Sequence, residues 1–367
     1  MGSVPIIELK SADPKERGRL YGEAACNTIE NTLKIYQDLF GATTGYSWEK
    51  IISLIDPYIG KVKVFAPDLI EEVKGIAEGA NLSFKDIFAI NARSEILFDL
   101  NIQVDECSSL AALPESTRNR STLLAQNWDW HKAIEPCQVI LKIAGRNNIP
   151  PFITFTEAGQ LAKIGMNGSG VGLVVNNLNA DQLQTGVPWI FVSRRILEST
   201  HLTQAMAYAL STPRAHSMNF LIAHADGEAV DIETSPVENH IIFPDGNTIA
   251  HTNHYLHPCL RFKDKESQDS HPSTYIRYHR IQKQLKSMDG NIDIESIQET
   301  LKDHFDRPFS VCVHDIQGFF PGLGTLKTCL SIVMDLSARR IFYTQGNPCQ
   351  NQVETLDLTS FLQNKTH

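Results

Sequence analysis

The sequence predicts an α+β fold in which β-sheets stack face to face with helices outside them. Two observations carry that reading. Residues 14–106 keep a helical period almost throughout, whereas from Ser121 onward short β-branched or aliphatic runs are separated by Gly, Pro and Asn. Helices and strands also come in separate blocks, an order that disfavours an alternating, parallel α/β sheet.

Taken in order, the helical leader is clearest at PDLIEEVKGIAEGAN. Pro67 suits a first helical turn, Leu69, Ile70, Val73, Ile76 and Ala77 fall on one face, and Gly79 offers a stop. FKDIFAINARSEILFDL continues with the same period. The strand block follows with TLLAQNW, QVILKIAG, PPFITFTEAG and GVGLVVNN. Helices return in VPWIFVSRRILEST and LTQAMAYAL. Asn219 to Asn253 reads as further strands, interrupted by the turn-forming pairs Asp226-Gly227 and Asp245-Gly246. Two amphipathic helices come next, in STYIRYHRIQKQLKSM and IDIESIQETLKDHF. A last hairpin pairs CLSIVMDL with RRIFYTQG across Ser337-Ala338. No internal repeat, low-complexity tract or interdomain linker interrupts this order.

Composition removes several function classes. The 367 residues, 42% of them hydrophobic, suffice for one large core or two ordinary domains. Thirty-three Lys and Arg against 42 Asp and Glu give a formal charge of −9 with no basic run, which disfavours a nucleic-acid or membrane-surface partner. The first residues lack an apolar signal core, and Ile6 stands where a myristoylation motif needs Ser or Thr. No stretch approaches the ~20 apolar residues of a membrane span. Seven scattered cysteines do not look like a secreted disulfide framework, so a reducing, cytoplasmic compartment is the expectation.

The most informative feature is Asp105-Glu106-Cys107-Ser108, followed by Asn127-Trp128-Asp129. Scission of the Glu106–Cys107 bond would give Cys107 a free α-amine, whose ordinary pKa of about 7.7–8.0 suits a general base near neutral pH. One residue would then supply both nucleophile and base. On the residues alone, Cys107 is either that nucleophile or a small buried hydrophobe. Its polar neighbours Asp105, Glu106, Ser108 and Ser109 argue against simple burial, and Ser109 is placed to protonate a leaving amine or orient the thiol.

Asn253, in His251-Thr252-Asn253-His254, either donates its amide to a developing oxyanion or ends a strand as a turn residue. With His257 and Cys259 the same cluster has zinc-like spacing, but neighbouring residues and Pro258 at one local turn fit closed tetrahedral geometry poorly. No metal and no other cofactor is expected. PGLGTLKT has a faint phosphate-loop look, but Leu326 replaces the glycine required before the lysine, and a strand follows. Asp129 and His131 form either an acid–base or metal pair, or a solvated strand end. Trp128, Trp130 and Phe220 suit either the core or a pocket wall.

Several of these runs, in order, resemble one known family. They are DECSSL and AQNWDWH, FITFTEAGQLAKIGMNGSGVGL, TGVPWIFVSRRILEST, IAHTNH and RPFSVC. The resemblance is to the acyl-coenzyme A:6-aminopenicillanic acid (isopenicillin N) acyltransferase family, which also includes enzymes hydrolysing β-alanyl amides. It runs from about Gly18 to the final hairpin.

The likeness implies a four-layer αββα sandwich of the N-terminal-nucleophile hydrolase type. It also implies a precursor that cleaves itself before its catalytic cysteine. That cysteine falls on Cys107, so the expected products are a mostly helical segment 1–106 and a catalytic region 107–367, held together as one globular heterodimer. The family's aspartate falls on Asp129 and its oxyanion asparagine on Asn253. Asn176 matches an asparagine in a strand bordering the pocket. Trp130, His131 and Phe220 fall where the penicillin-making enzymes place aromatic pocket residues.

Two departures shape the functional expectation. Glu106 replaces the glycine before the cleavage point, setting a bulky anion beside the scissile carbonyl. Val313 stands where an arginine follows the cysteine of P-F-S-x-C, and His131 replaces a phenylalanine, so a cationic contact for a penicillin-type carboxylate is missing. The expectation is therefore hydrolysis of small N-acyl amides, of amide or β-alanyl-amine type, through an acyl-enzyme on Cys107. The alternatives are an acyl-coenzyme A-dependent N-acyltransferase and a non-catalytic or metal-binding member of the fold.

Overall fold

The structure, a computed structural model, describes residues 4–100, 106–179, 184–260, 272–318 and 324–363, the side chain of Glu106 excepted. Asp105 and positions 321–323 of the PGLGTLKT run lie outside the described residues.

Strand β1 (Ile6–Leu9) precedes the helical leader, which comprises α1 (Pro14–Ala24), α2 (Cys26–Thr44), α3 (Trp48–Ile52), α4 (Asp56–Phe65), α5 (Pro67–Ala80), α6 (Phe84–Asn91) and α7 (Arg93–Asp99). Asp13 caps α1 by accepting the Glu16 N–H, and Ser83 with Asp86 closes a capping box on α6. The stretch expected to continue through FKDIFAINARSEILFDL breaks at Ala92, where φ is −119°.

α5 starts at Pro67 as predicted but runs through Gly79, ending where Asn81 turns left-handed. Gly79 serves packing instead. A Cβ there would lie 2.1 Å from the Arg19 carbonyl oxygen, and one at Gly75 would lie 2.0 Å from that of Lys15. Only glycine lets the backbones of α1 and α5 approach so closely.

Next come β2 (Glu106–Ala112), β3 (Leu123–His131), β4 (Gln138–Ile143), β5 (Phe152–Glu157), β6 (Ile164–Asn167) and β7 (Val171–Asn177). Helices α8 (Trp189–Leu197) and α9 (Leu202–Ser211) lead to β8 (Met218–His224), β9 (Glu228–Thr234), β10 (Asn239–Ile242) and β11 (Thr248–His251). Then follow α10 (Ser273–Ser287), α11 (Ile294–Leu301), β12 (Ile316–Gln317), β13 (Thr325–Asp335), β14 (Arg340–Gln345), β15 (Glu354–Asp357) and α12 (Thr359–Gln363).

The strands form two sheets. One has eight strands in the order β1-β4-β5-β6-β7-β8-β9-β10; the other has seven, ordered β11-β2-β3-β13-β14-β15, with β12 on β13. Asp226-Gly227 closes the β8–β9 hairpin, Gly227 having φ +96°. Asp245-Gly246 does something the sequence does not announce: it carries the chain from the first sheet to the second. The leader is also not purely helical, because β1 pairs in parallel with β4, Ile6 opposite Ile140.

Alternation along the strands gives each sheet two apolar faces. Leu110, Ala112, Leu123 and Ala125 pack beneath Ile281 and Leu285 of α10 and Ile297 and Leu301 of α11. The opposite faces of the two sheets meet in a larger core, which reaches from Val4 to Leu362 and includes residues of α1, α2, α5, α6 and α8. The result is a four-layer αββα sandwich, as expected. Among the described residues no helix is long and apolar enough to cross a membrane.

Candidate active site

β2 and β3 are neighbours in the register Glu106↔Asp129, Cys107↔Trp128 and Ser109↔Gln126. Cys107 and Ser109 therefore share the face turned towards the other sheet. Cys107 is only 4% exposed. Its backbone N–H donates to Asn253 Oδ1 at 2.7 Å, and its carbonyl accepts from Arg277 Nη1 at 2.8 Å. The same guanidinium donates to Ser108 Oγ at 3.0 Å and to Asn253 Oδ1 at 3.1 Å. One buried cation thus ties the cysteine backbone, its neighbour and the asparagine into a charge-assisted network.

Topology explains how residues so far apart in the chain meet. β11 lies antiparallel to β2, His251 opposite Ser109, so the chain just past β11 delivers Asn253 to the Cys107 end. Asn253 is then held from three sides. Its N–H donates to Thr274 Oγ1 at 2.8 Å, its Nδ2 donates to the Asn177 carbonyl at 3.1 Å, and Arg277 grips its Oδ1.

Ser109 Oγ donates to Asn176 Oδ1 at 2.6 Å, and that oxygen also accepts from Asn219 Nδ2 at 3.3 Å. Asn176 lies on β7 of the facing sheet, so this is a polar bridge through the sandwich next to the candidate nucleophile. Behind it, His251 Nε2 faces Glu233 Oε1 at 2.9 Å. Burial works against a charge on His251, yet the carboxylates of Asp231 and Glu233 raise its pKa above the ordinary value. Burial pushes Asp231 up to about 6.

Asp129 is the cross-strand partner of Glu106, so it lies diagonal to Cys107. Its buried carboxylate accepts from Thr328 Oγ1 at 2.5 Å, and that hydroxyl accepts from the Val313 N–H at 2.9 Å. Of the four residues expected to line a substrate pocket, Trp130, Phe220 and Val313 are fully buried and only His131 is partly exposed. Trp130 donates from Nε1 to the Tyr36 hydroxyl at 3.1 Å and lies 4.3 Å from the Arg93 guanidinium. Trp130 and Phe220 thus sit in the core, one of the two roles their residue types allow.

Sequence reasoning missed two cations. Arg277 is one. Lys163 is the other: its Nζ lies 3.1 Å from the Trp128 ring centroid, and Trp128 is the cross-strand partner of Cys107. Lys163 also pairs with Glu157 Oε1 at 3.4 Å. A cleft of about 770 Å³ opens between β10, β11 and α10; its walls include His257 of the histidine cluster but none of the residues expected to act in catalysis, processing or substrate binding.

The histidine cluster at residues 251–257 is not assembled as one site. His251 turns to Glu233, His254 Nδ1 meets the hydroxyls of Thr252 and Thr274 at 3.2 and 2.9 Å, and His257 and Cys259 approach His240. A different set, His304, Cys312, His314 and Cys349, comes within ligand distance without any warning in the sequence. Lys327, the lysine of the rejected phosphate loop, lies on β13 and pairs with Glu135 at 2.5 Å.

The family model described as acyl-coenzyme A:6-aminopenicillanic acid acyl-transferase matches residues 116–350. The acyl-coenzyme A:6-aminopenicillanic-acid-acyltransferase 40 kDa form of Emericella nidulans is 28% identical over 350 residues, 94% of this chain and 94% of that one. Among solved structures, penicillin V acylase from Agrobacterium tumefaciens is similar with a TM-score of 0.50 at 13% identity, covering 71% of this chain and 88% of that chain. A variant of conjugated bile acid hydrolase from Clostridium perfringens also reaches 0.50, at 12% identity, covering 71% and 95% respectively. At such identities the structural likeness speaks for the fold, the N-terminal-nucleophile hydrolase sandwich.

Proposed function

This chain belongs to the acyl-coenzyme A:6-aminopenicillanic acid acyl-transferase family, and from that premise we propose that it is a cysteine N-terminal-nucleophile enzyme hydrolysing small N-acyl amides. The observation that supports the reading best is the grip on Cys107. Its N–H is bound by Asn253 Oδ1 at 2.7 Å while Arg277 holds its carbonyl at 2.8 Å. An amine left at that nitrogen by cleavage would find its acceptor already in place.

Maturation begins with attack of Cys107 Sγ on the Glu106 carbonyl carbon. The acyl group passes from nitrogen to sulfur, the Cys107 amine is released, and water hydrolyses the thioester to leave a Glu106 carboxylate and a free thiol. Ser109, on the same strand face, orients the thiol or protonates the departing amine. Glutamate at position 106, a bulkier acidic residue than the glycine that precedes the cleavage point in the family, slows the first step.

In turnover the α-amine takes the Sγ proton, and the resulting ammonium donates to Asn253 Oδ1. The thiolate, favoured by the nearby Arg277 charge, attacks the substrate carbonyl. Asn253 Nδ2 and a backbone N–H receive the oxyanion, and Asp129 orients the amine or substrate. The ammonium then protonates the departing amine, leaving an acyl-enzyme that water resolves. Fragments 1–106 and 107–367 stay associated throughout. Water is preferred to an amine acceptor because, among the described residues, the cations around the site are already engaged, Arg277 with Cys107, Ser108 and Asn253, and Lys163 and Arg93 with Glu157, so none of these three is left over for the phosphates of coenzyme A.

The test combines intact mass with turnover. Wild-type protein should yield two fragments split before Cys107 and should release amine from N-acyl amides, whereas Cys107→Ala should stay one chain and turn over nothing. Retention of normal turnover by Cys107→Ala would end this account. If the mature enzyme given acyl-coenzyme A and amines makes amide far faster than it hydrolyses it, the acyltransferase alternative replaces the hydrolase.

A further inference from the structure

Four side chains from three separate stretches of chain converge beside the β13–β14 end of the smaller sheet. His304 lies in the turn after α11, Cys312 and His314 lie on the following loop, and Cys349 comes from the turn after β14. Their ligand atoms all fall within 4.8 Å of one another. Cys312 and His314 are buried, while His304 and Cys349 close the group from the surface, which leaves an entry path.

The spacings are those of a coordination shell. Structural zinc sites use Cys and His tetrahedrally with Zn–S near 2.3 Å and Zn–N near 2.0–2.1 Å. The edges of such a tetrahedron are therefore about 3.8 Å between sulfurs, about 3.5 Å between sulfur and nitrogen and about 3.3 Å between nitrogens. Here Cys312 Sγ and Cys349 Sγ are 3.7 Å apart. The sulfur–nitrogen edges to His314 Nε2 are 3.5 Å from Cys312 and 3.3 Å from Cys349, and His304 Nε2 lies 3.0 Å from His314 Nε2.

The surroundings fit as well. Asn347 Nδ2 donates to Cys312 Sγ at 3.4 Å and to the Val313 carbonyl at 2.6 Å, the kind of outer hydrogen bond that orients a thiolate ligand. Two thiolates and two neutral imidazoles make a neutral complex with a divalent ion, so closing the site carries no net charge into the protein.

We propose that His304, Cys312, His314 and Cys349 bind one zinc ion as a closed structural site. It departs from the sequence expectation of no metal and does not rest on the catalytic reading. On binding, Zn²⁺ displaces the two thiol protons, which leave to solvent, and four bonds to Sγ and Nε2 atoms form. The ion pins the loop from His304 to His314 against the turn at Cys349. That loop carries Val313, whose N–H supports the Thr328 hydroxyl that holds Asp129. Zinc therefore stiffens the wall behind Asp129 and takes no part in acyl chemistry.

The experiment is metal analysis of full-length protein purified under reducing conditions from zinc-supplemented cells, with Co²⁺ reconstitution as a spectroscopic probe. Wild type should retain about one zinc per chain after desalting, and its Co²⁺ form should show intense visible bands with thiolate-to-metal charge transfer. His304→Ala/Cys349→Ser changes only the two surface ligands, so it should fold and lose both signals. Cys259→Ser should keep both, which distinguishes this site from the group around His240 and His257. The proposal falls if wild type holds less than about a tenth of a zinc per chain and gives no thiolate–cobalt bands. It falls equally if the double variant retains the zinc, or if unreduced protein carries a Cys312–Cys349 disulfide in place of metal.

Discussion

Arg277 shows how much can rest on one side chain. It makes hydrogen bonds to the Cys107 carbonyl, Ser108 Oγ and Asn253 Oδ1, yet it occupies no family motif quoted from the sequence. A signal was present: Ser273, Arg277, Ile281 and Leu285, four apart, are all buried on one face of α10, and an arginine in that stripe has to meet something. Replacing it with Met should lower kcat by about 10²-fold through misplacement of the thiol while KM changes little. Loss of the cation should also move the acid limb of kcat/KM to higher pH, because the thiol then ionises less readily and the ammonium holds its proton more tightly. Arg277→Lys should recover only part of the rate, since an ammonium lacks the planar fork. Unchanged kcat and pH profile in Arg277→Met would remove its positioning role. Cys107 and Asn253 stood out as candidates because each sits in a short, recognisable string, and the fold brings the two into contact. The ligands at residues 304–349 did not, because no short spacing links them and only the fold brings them together.

Among elements, the least legible feature is the buried ionic joint between α1, α5 and α8. Periodicity marked the apolar face of α5 correctly, but it gave no reason to bury Glu72 while Glu71 stays partly exposed. The reason lies in other elements: Glu72 takes Arg17 at 2.5 Å and Arg194 at 2.9 Å, and Arg194 also reaches Glu198 at 2.9 Å. Burial pushes the Glu72 carboxyl up, but Arg194 and Arg17 outweigh it and hold the group at about 2; Glu198 is likewise held at about 2. Both folded-state values lie below those of an unfolded chain. Their stabilisation is therefore complete above the ordinary glutamate range and is lost as pH falls through about 2. Glu72→Gln takes the carboxylate from buried Arg17 and one of two carboxylates from Arg194, which keeps Glu198, and should cost about 3–5 kcal/mol at neutral pH. Urea unfolding at pH 7 and pH 3 checks both points, because the gap between variant and wild type should narrow in acid. A gap that is absent at pH 7, or that widens in acid, would contradict the assignment.

For the whole molecule, segregated helix and strand blocks were enough to foresee two stacked sheets. The order β11-β2-β3-β13 was not legible, because each of those pairings except β2–β3 joins segments more than a hundred residues apart. The same topology bears on what self-cleavage would do. The segment before Cys107 supplies β1 to the larger sheet and all of α1 to α7, and its side chains are part of the shared core. Buried polar ties cross the cleavage point too. Glu72 pairs with Arg194 at 2.9 Å, Arg93 pairs with Glu157 at 2.7 Å, the Gly159 N–H donates to the Tyr21 hydroxyl at 2.8 Å, and the Trp189 N–H donates to Glu95 Oε1 at 2.9 Å. Separating the fragments would expose apolar faces of both and strand buried charges, a cost far above that of breaking one peptide bond at a strand end. Cleaved protein should therefore elute as one species in native buffer, unfold in a single cooperative transition, and release the 1–106 fragment only in denaturant. Size-exclusion chromatography with mass detection decides it: a 1–106 fragment that leaves without denaturant would show that the two segments are not one folding unit.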